Sequence, residues 1–123
     1  VSRPHHQLDV WNDAIALVEA IYRLTSTFPS DERYGLTSQL RRAAVSVPSN
    51  IAEGATRRAR KEYLHHLSMA RGSLSEIETQ VMIARRLNLS APDSALDDHL
   101  ERVFARLNAL MKRLAEADMR TAP

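Results

Sequence analysis

Apolar side chains recur at alternating steps of four and three over most of this chain, the pattern of amphipathic helices packed lengthwise. Tyr63, Leu67, Ala70, Leu74, Ile77, Val81 and Ala84 form one ladder, and Leu96, Leu100, Val103, Leu107, Leu110, Leu114 and Ala117 form another. The first predicts a helix over 60–87, the second a helix ending near 117. Each is about 35 to 40 Å long at ~1.5 Å per residue, enough for knobs-into-holes packing of nearly parallel or antiparallel rods. Residues 88–92 between them are too few for a long crossover, which predicts an antiparallel hairpin. Ser90 and Asp93 have the spacing of a capping box, with aspartate in place of glutamate.

Upstream, Asp9 stands as a cap before a helix over 10–25. Val10, Trp11, Ala14, Ile15, Leu17, Val18, Ile21, Tyr22 and Leu24 share one side of it. Their arc is roughly 180° wide, against the ~100° that a single core contact requires, so this helix has two sets of neighbours. Phe28, Pro29 and Ser30 break the pattern, and Gly35 opens a second helix. There Leu36, Leu40, Ala43, Val47, Ile51 and Gly54 share a face, with Pro48 inside it. Pro48 cannot donate to the Ala44 carbonyl, which predicts a bend unless packing compensates. Gly54, on the apolar face, either admits a neighbouring backbone or helps end the helix.

Four helices and no strand alternation predict an all-α, antiparallel up-and-down four-helix bundle. A length of 123 residues with 44% apolar side chains fits one domain. It is divided as a tail over 1–8, the bundle over 9–117 and a frayed tail over 118–123. Cysteine is missing from the sequence, which excludes disulfides, thiolate ligands and a cysteine nucleophile. The longest apolar run, from Ala14 to Val18, is too short to span a bilayer. The first ten residues include Arg3, His5, His6 and Asp9 and lack a signal-peptide core, so a cytoplasmic protein is expected.

Three ordered blocks carry a family resemblance. Tyr34-Gly35-Leu36-Thr37-Ser38-Gln39-Leu40-Arg41-Arg42-Ala43, Asn50-Ile51-Ala52-Glu53-Gly54 and Ala70-Arg71-Gly72-Ser73-Leu74-Ser75-Glu76-Ile77-Glu78-Thr79 resemble the signature blocks of 23S rRNA intervening-sequence proteins. The likeness extends from Leu8 to about Leu114, with His66 standing where the family often has an aromatic residue. It implies a small bacterial four-helix bundle without known enzyme activity. Related bundles form homopentameric barrels, among them basic accessory proteins of diversity-generating retroelements that associate with nucleic acid and a reverse transcriptase. The resemblance therefore implies a homo-oligomer, a pentamer by that analogy, with RNA or DNA and a polymerase as possible partners.

Charge adds a candidate site. Between Arg41 and Arg71 there are seven cations (Arg41, Arg42, Arg57, Arg58, Arg60, Lys61 and Arg71) against Glu53 and Glu62, in a chain of net charge +2. If Arg57, Arg58, Arg60 and Lys61 form the turn between the second and third helices, they cluster at one end of the bundle, where phosphates can meet them. The alternative is a solvated turn whose cations complement the helix dipole. Aromatic residues are not interleaved with these arginines, so contact is expected to be with the backbone and salt-sensitive.

Other polar residues point inward. Arg42, Asn50 and Glu53 lie near the apolar face of helix 2, in position to meet Glu76 or Glu78 in a polar network that fixes register. Glu62 and His65 form a single Glu-x-x-His, whereas a dimetal bundle needs two, so no metal or other cofactor is expected. No set of nucleophile, base and oxyanion donor is present, nor a G-x-S-x-G elbow or phosphate loop, which predicts a protein that is not an enzyme. Trp11, Ile15 and Tyr22 line the outer half of the first helix and are the expected oligomer interface. The reading is an oligomeric scaffold or accessory factor contacting RNA or DNA. Its rival is a protein-interaction module with no nucleic-acid role.

Overall fold

The computed structural model describes residues 2–121, and only the backbone over 118–121. It contains four long helices: α1 (Asp9–Thr25), α2 (Leu36–Ala55), α3 (Arg60–Arg86) and α4 (Ser94–Thr121). Among the described residues there is no strand. Short 3₁₀ turns at Pro4–Gln7 and Ser30–Glu32 precede α1 and α2.

Each helix packs on its neighbours in chain order, with α4 closing on α1. Cross-helix bonds give the directions. Gln80 Nε2 donates to Gln39 Oε1 at 3.3 Å, Ser73 and Ser46 hydroxyls are 2.9 Å apart, and His66 meets Asn50, so α3 descends as α2 rises. Arg71 to Asn108 and Arg85 to Asp97 set α4 antiparallel to α3 in the same way. Asp13 of α1, facing Arg102 and Arg106, binds α4 across the remaining seam.

Both ladders point inward as their spacing predicts: Leu67, Ala70, Leu74, Ile77, Val81 and Ala84 are buried, as are Leu96, Leu100, Val103, Leu107 and Leu110. Val10, Ala14, Leu17 and Ile21 from α1 and Leu40, Ala43, Val47 and Ile51 from α2 complete the core. Burial of the Leu, Ile and Val side chains contributes about 1.5–3 kcal/mol each, the main force holding the rods together. α2 runs unbroken through Pro48, whose ring is itself buried.

Helix ends differ from expectation in three places. Leu8, not Asp9, is the N-cap of α1, and Asp9 lies in the first turn, where its charge favours the positive end of the dipole. Asp93 alone caps α4, its Oδ1 accepting from Leu96 N at 3.1 Å, while the Ser90 hydroxyl turns to Ala91 O. α4 continues through 118–121, past the expected start of the tail, and 122–123 lie outside the described residues. Within the described part of the N-terminal segment, Asn12 Nδ2 donates to His6 O and Leu8 O, both at 3.1 Å, and ties residues 6–8 to α1.

Candidate nucleic-acid interface

The turn joining α2 to α3 begins at Thr56, the C-cap of α2, and ends at Ala59, the N-cap of α3. It is tight because α2 and α3 approach closely at Gly54. A Cβ on that glycine would stand 2.9 Å from His66 Cβ and 3.0 Å from Tyr63 Cδ1. The close approach lets His66 Nδ1 donate to Asn50 Oδ1 at 3.3 Å, while Asn50 Nδ2 donates to Ser46 O and Oγ, both at 3.0 Å.

The turn brings Arg57, Arg58, Arg60 and Lys61 to one end of the bundle, and they are not equivalent. Arg57 Nη2 donates to Glu53 Oε1 at 2.9 Å, so its charge is partly met within α2. Arg60 is half-buried, whereas Arg58 and Lys61 are exposed. α4 adds cations that sequence order does not reveal. Arg113 is close enough to Tyr63 to pull its phenol toward ionisation, opposing the larger effect of burial, which raises the Tyr63 pKa above 10.0. Lys112 is its exposed neighbour on α4. The signal for Arg113 was available in the hairpin register, which sets the end of α4 beside the start of α3.

The remaining predicted cations lie elsewhere. Arg42 is about 20 Å along α2 from Arg57 and Arg71 about 15 Å along α3 from Lys61, at ~1.5 Å per residue. Arg71 Nη1 donates to Asn108 Oδ1 at 3.1 Å. Arg41 turns toward α1, donating from Nε to Thr25 Oγ1 at 2.8 Å, with its guanidinium 4.5 Å from the centre of the Tyr22 ring. The Thr25 hydroxyl, the Tyr22 carbonyl and the Tyr22 ring therefore occupy it.

The expected polar network is only partly assembled. Asn50 takes part with Ser46, Ser73 and His66, and Glu53 Oε2 lies 3.9 Å from His66 Nδ1. Arg42 and Glu76 instead line an open groove between α2 and α3. Glu78 is on the other side of α3, facing α4 with Met82 and Asp97. Glu76 and Glu78 are 200° apart at ~100° per residue, so of the two alternatives only Glu76 is on the side of α3 that faces α2.

Of the three residues expected to line the outer half of α1, Trp11 is the most enclosed. It is half-buried, packed on the core and covered by the imidazoles of His5 and His6, with ring centroids 4.9 and 5.2 Å away. Desolvation, then the neighbouring His6 and Arg3, lowers the His5 pKa below 6.5. Ile15 and Tyr22 do remain exposed on α1. Among the described residues no group of three or more His, Cys, Asp or Glu is placed to hold a metal, and no helix is long and apolar enough to cross a membrane.

Four antiparallel helices with a cationic end define an all-α protein of the helical-bundle class. The chain belongs to the family described as 23S rRNA-intervening sequence protein, which it matches over residues 6–114. Comparison with curated proteins gives no match.

Proposed function

We propose that the protein is a non-catalytic, self-assembling accessory factor that holds RNA or DNA by its phosphate backbone at the α2–α3 end. The observation that carries this reading is the convergence of Arg58 and Lys61 with Arg57, Arg60 and Arg113 from separate helices. Guanidinium and ammonium groups spaced along a rigid end match a phosphate chain, and release of its counterions supplies the affinity. The family description, with its reference to 23S rRNA, agrees with a nucleic acid as the polyanion. Assembly would multiply the cationic end, and the exposed Ile15 and Tyr22 support a self-contact. A pentamer and a polymerase partner follow only by analogy with related bundles, and a cytoplasmic location accords with such a role.

The test is binding of a labelled RNA duplex across a salt series. Affinity should fall steeply with salt, and the Arg57→Ala, Arg58→Ala, Arg60→Ala, Lys61→Ala variant should flatten the slope by about 0.9 for each phosphate it no longer neutralises. Retention unaffected by these changes would refute the proposed interface. No retention at low salt would favour the protein-interaction module, which the internal engagement of Arg57, Arg41 and Arg71 also supports.

A further inference from the structure

Opposite sides of the bundle carry opposite charge around exposed apolar side chains. Between α1 and α2 lies a shallow groove of about 620 Å³ whose walls include Arg33, Arg41 and Arg42, with Tyr22, Tyr34 and Val45 between them. No carboxylate lines it among the described residues. Tyr34 is 90% exposed, Tyr22 41% and Val45 42%. Arg41 is already fixed against Tyr22 and Thr25, so this wall is pre-formed. Arg33 and Arg42 are exposed and, among the described residues, have no ion-pair partner.

Between α3 and α4 lies a smaller groove of about 290 Å³ bordered by Glu78, Asp97 and Glu101 around Met82. Met82 is 55% exposed. Asp97 is held by Arg85 at 2.9 Å, whereas Glu78 and Glu101 are exposed and without an ion-pair partner among the described residues.

The helices follow one another around the bundle, so the α1–α2 groove and the α3–α4 groove face away from each other. They cannot meet within one chain, but each can meet its complement on another. Two copies joined groove to groove by α1–α2 would bring their arginines together, a like-charge contact that disfavours the symmetric pairing. Joined head to tail, Arg33 and Arg42 face Glu78 and Glu101, and Met82 enters among the tyrosines, a favourable sulfur–aromatic contact.

We infer that the α1–α2 groove of one chain receives the α3–α4 face of a second copy of the same chain. The contact is heterologous, so its repetition generates a closed ring or an open filament rather than a two-fold dimer. It rests on the self-assembly reading and names the surfaces that make it.

Sedimentation of the full chain tests this with two charge reversals, Arg33→Glu with Arg42→Glu and Glu78→Arg with Glu101→Arg. Each variant alone should associate about tenfold or more weakly than the wild type. Mixing the two should restore association between them, because the groove of each variant then meets a face of opposite charge on the other. Truncations Tyr34→Ala and Met82→Ala probe the same faces without altering charge and should each weaken association. Wild-type association in all four variants, dissociation by the groove changes alone, or no recovery on mixing would overturn the inference while leaving self-assembly intact. A wild type that sediments as a monomer would overturn both, and the nucleic-acid reading would still stand or fall on the salt series.

Discussion

Gly54 and Gly72 are both helical glycines, and their surroundings give alanine opposite effects. At Gly54 the added methyl meets His66 Cβ and the Tyr63 ring at 2.9 and 3.0 Å, and the Tyr63 carbonyl at 3.3 Å. These atoms lie on or next to the α3 backbone, so relief requires separating α2 from α3, and Gly54→Ala should destabilise the fold by about 1–3 kcal/mol despite better helix propensity. Nothing lies within 4 Å of a Cβ at Gly72. Gly72→Ala should stabilise by about 0.5–1 kcal/mol, and urea denaturation of the pair measures both. Tyr63 adds a pH effect. Burial raises its pKa above 10.0, so the native state keeps the proton at a pH where the unfolded chain has released it. Stability is therefore present below pH 10 and declines as pH climbs toward the raised native value. Tyr63→Phe should remove that part of the alkaline loss, seen as a flatter melting temperature across an alkaline pH series.

The α3–α4 hairpin shows how much of an element is legible in a sequence. Its two ladders were readable because a heptad repeat admits only one buried seam, and every buried rung lies where the repeat puts it. The end of α3, expected at 87 and found at Arg86, was legible too, but the way it stops was not, because its stop signal is a backbone conformation. Asn88 adopts φ 60°, and Leu89 N and Asn88 N donate to Ala84 O and Arg85 O at 2.8 and 3.1 Å. That is a Schellman ending in which asparagine takes the place glycine usually holds. The cover over Trp11 was not legible either: the 3₁₀ turn that carries it has no periodicity to read, and its imidazoles come from residues with no apolar pattern. At the other end of the connection Asp93 provides a cap to Leu96 N. Asp93→Ala should cost about 1 kcal/mol and raise amide exchange in the first turn of α4, whereas Ser90→Ala should change neither.

Across the whole molecule the position of a cation in the fold, rather than in the sequence, decides what it can do. Arg41 belongs to the basic stretch by sequence, but Thr25 and the Tyr22 ring hold it against α1, far along α2 from the turn. Arg113 is remote in sequence, yet the antiparallel register of α4 carries it to Tyr63 at the cationic end. Two substitutions therefore separate stability from binding. Arg41→Ala removes a hydrogen bond to a buried hydroxyl and a stacked guanidinium, and should lower unfolding free energy by about 1–3 kcal/mol with duplex affinity unchanged. Arg113→Ala leaves the core untouched and should weaken duplex binding about as much as Lys61→Ala, with a similar loss of salt slope. Equal effects of Arg41→Ala and Arg113→Ala on binding would mean that the nucleic acid runs along the side of the bundle instead of across its end.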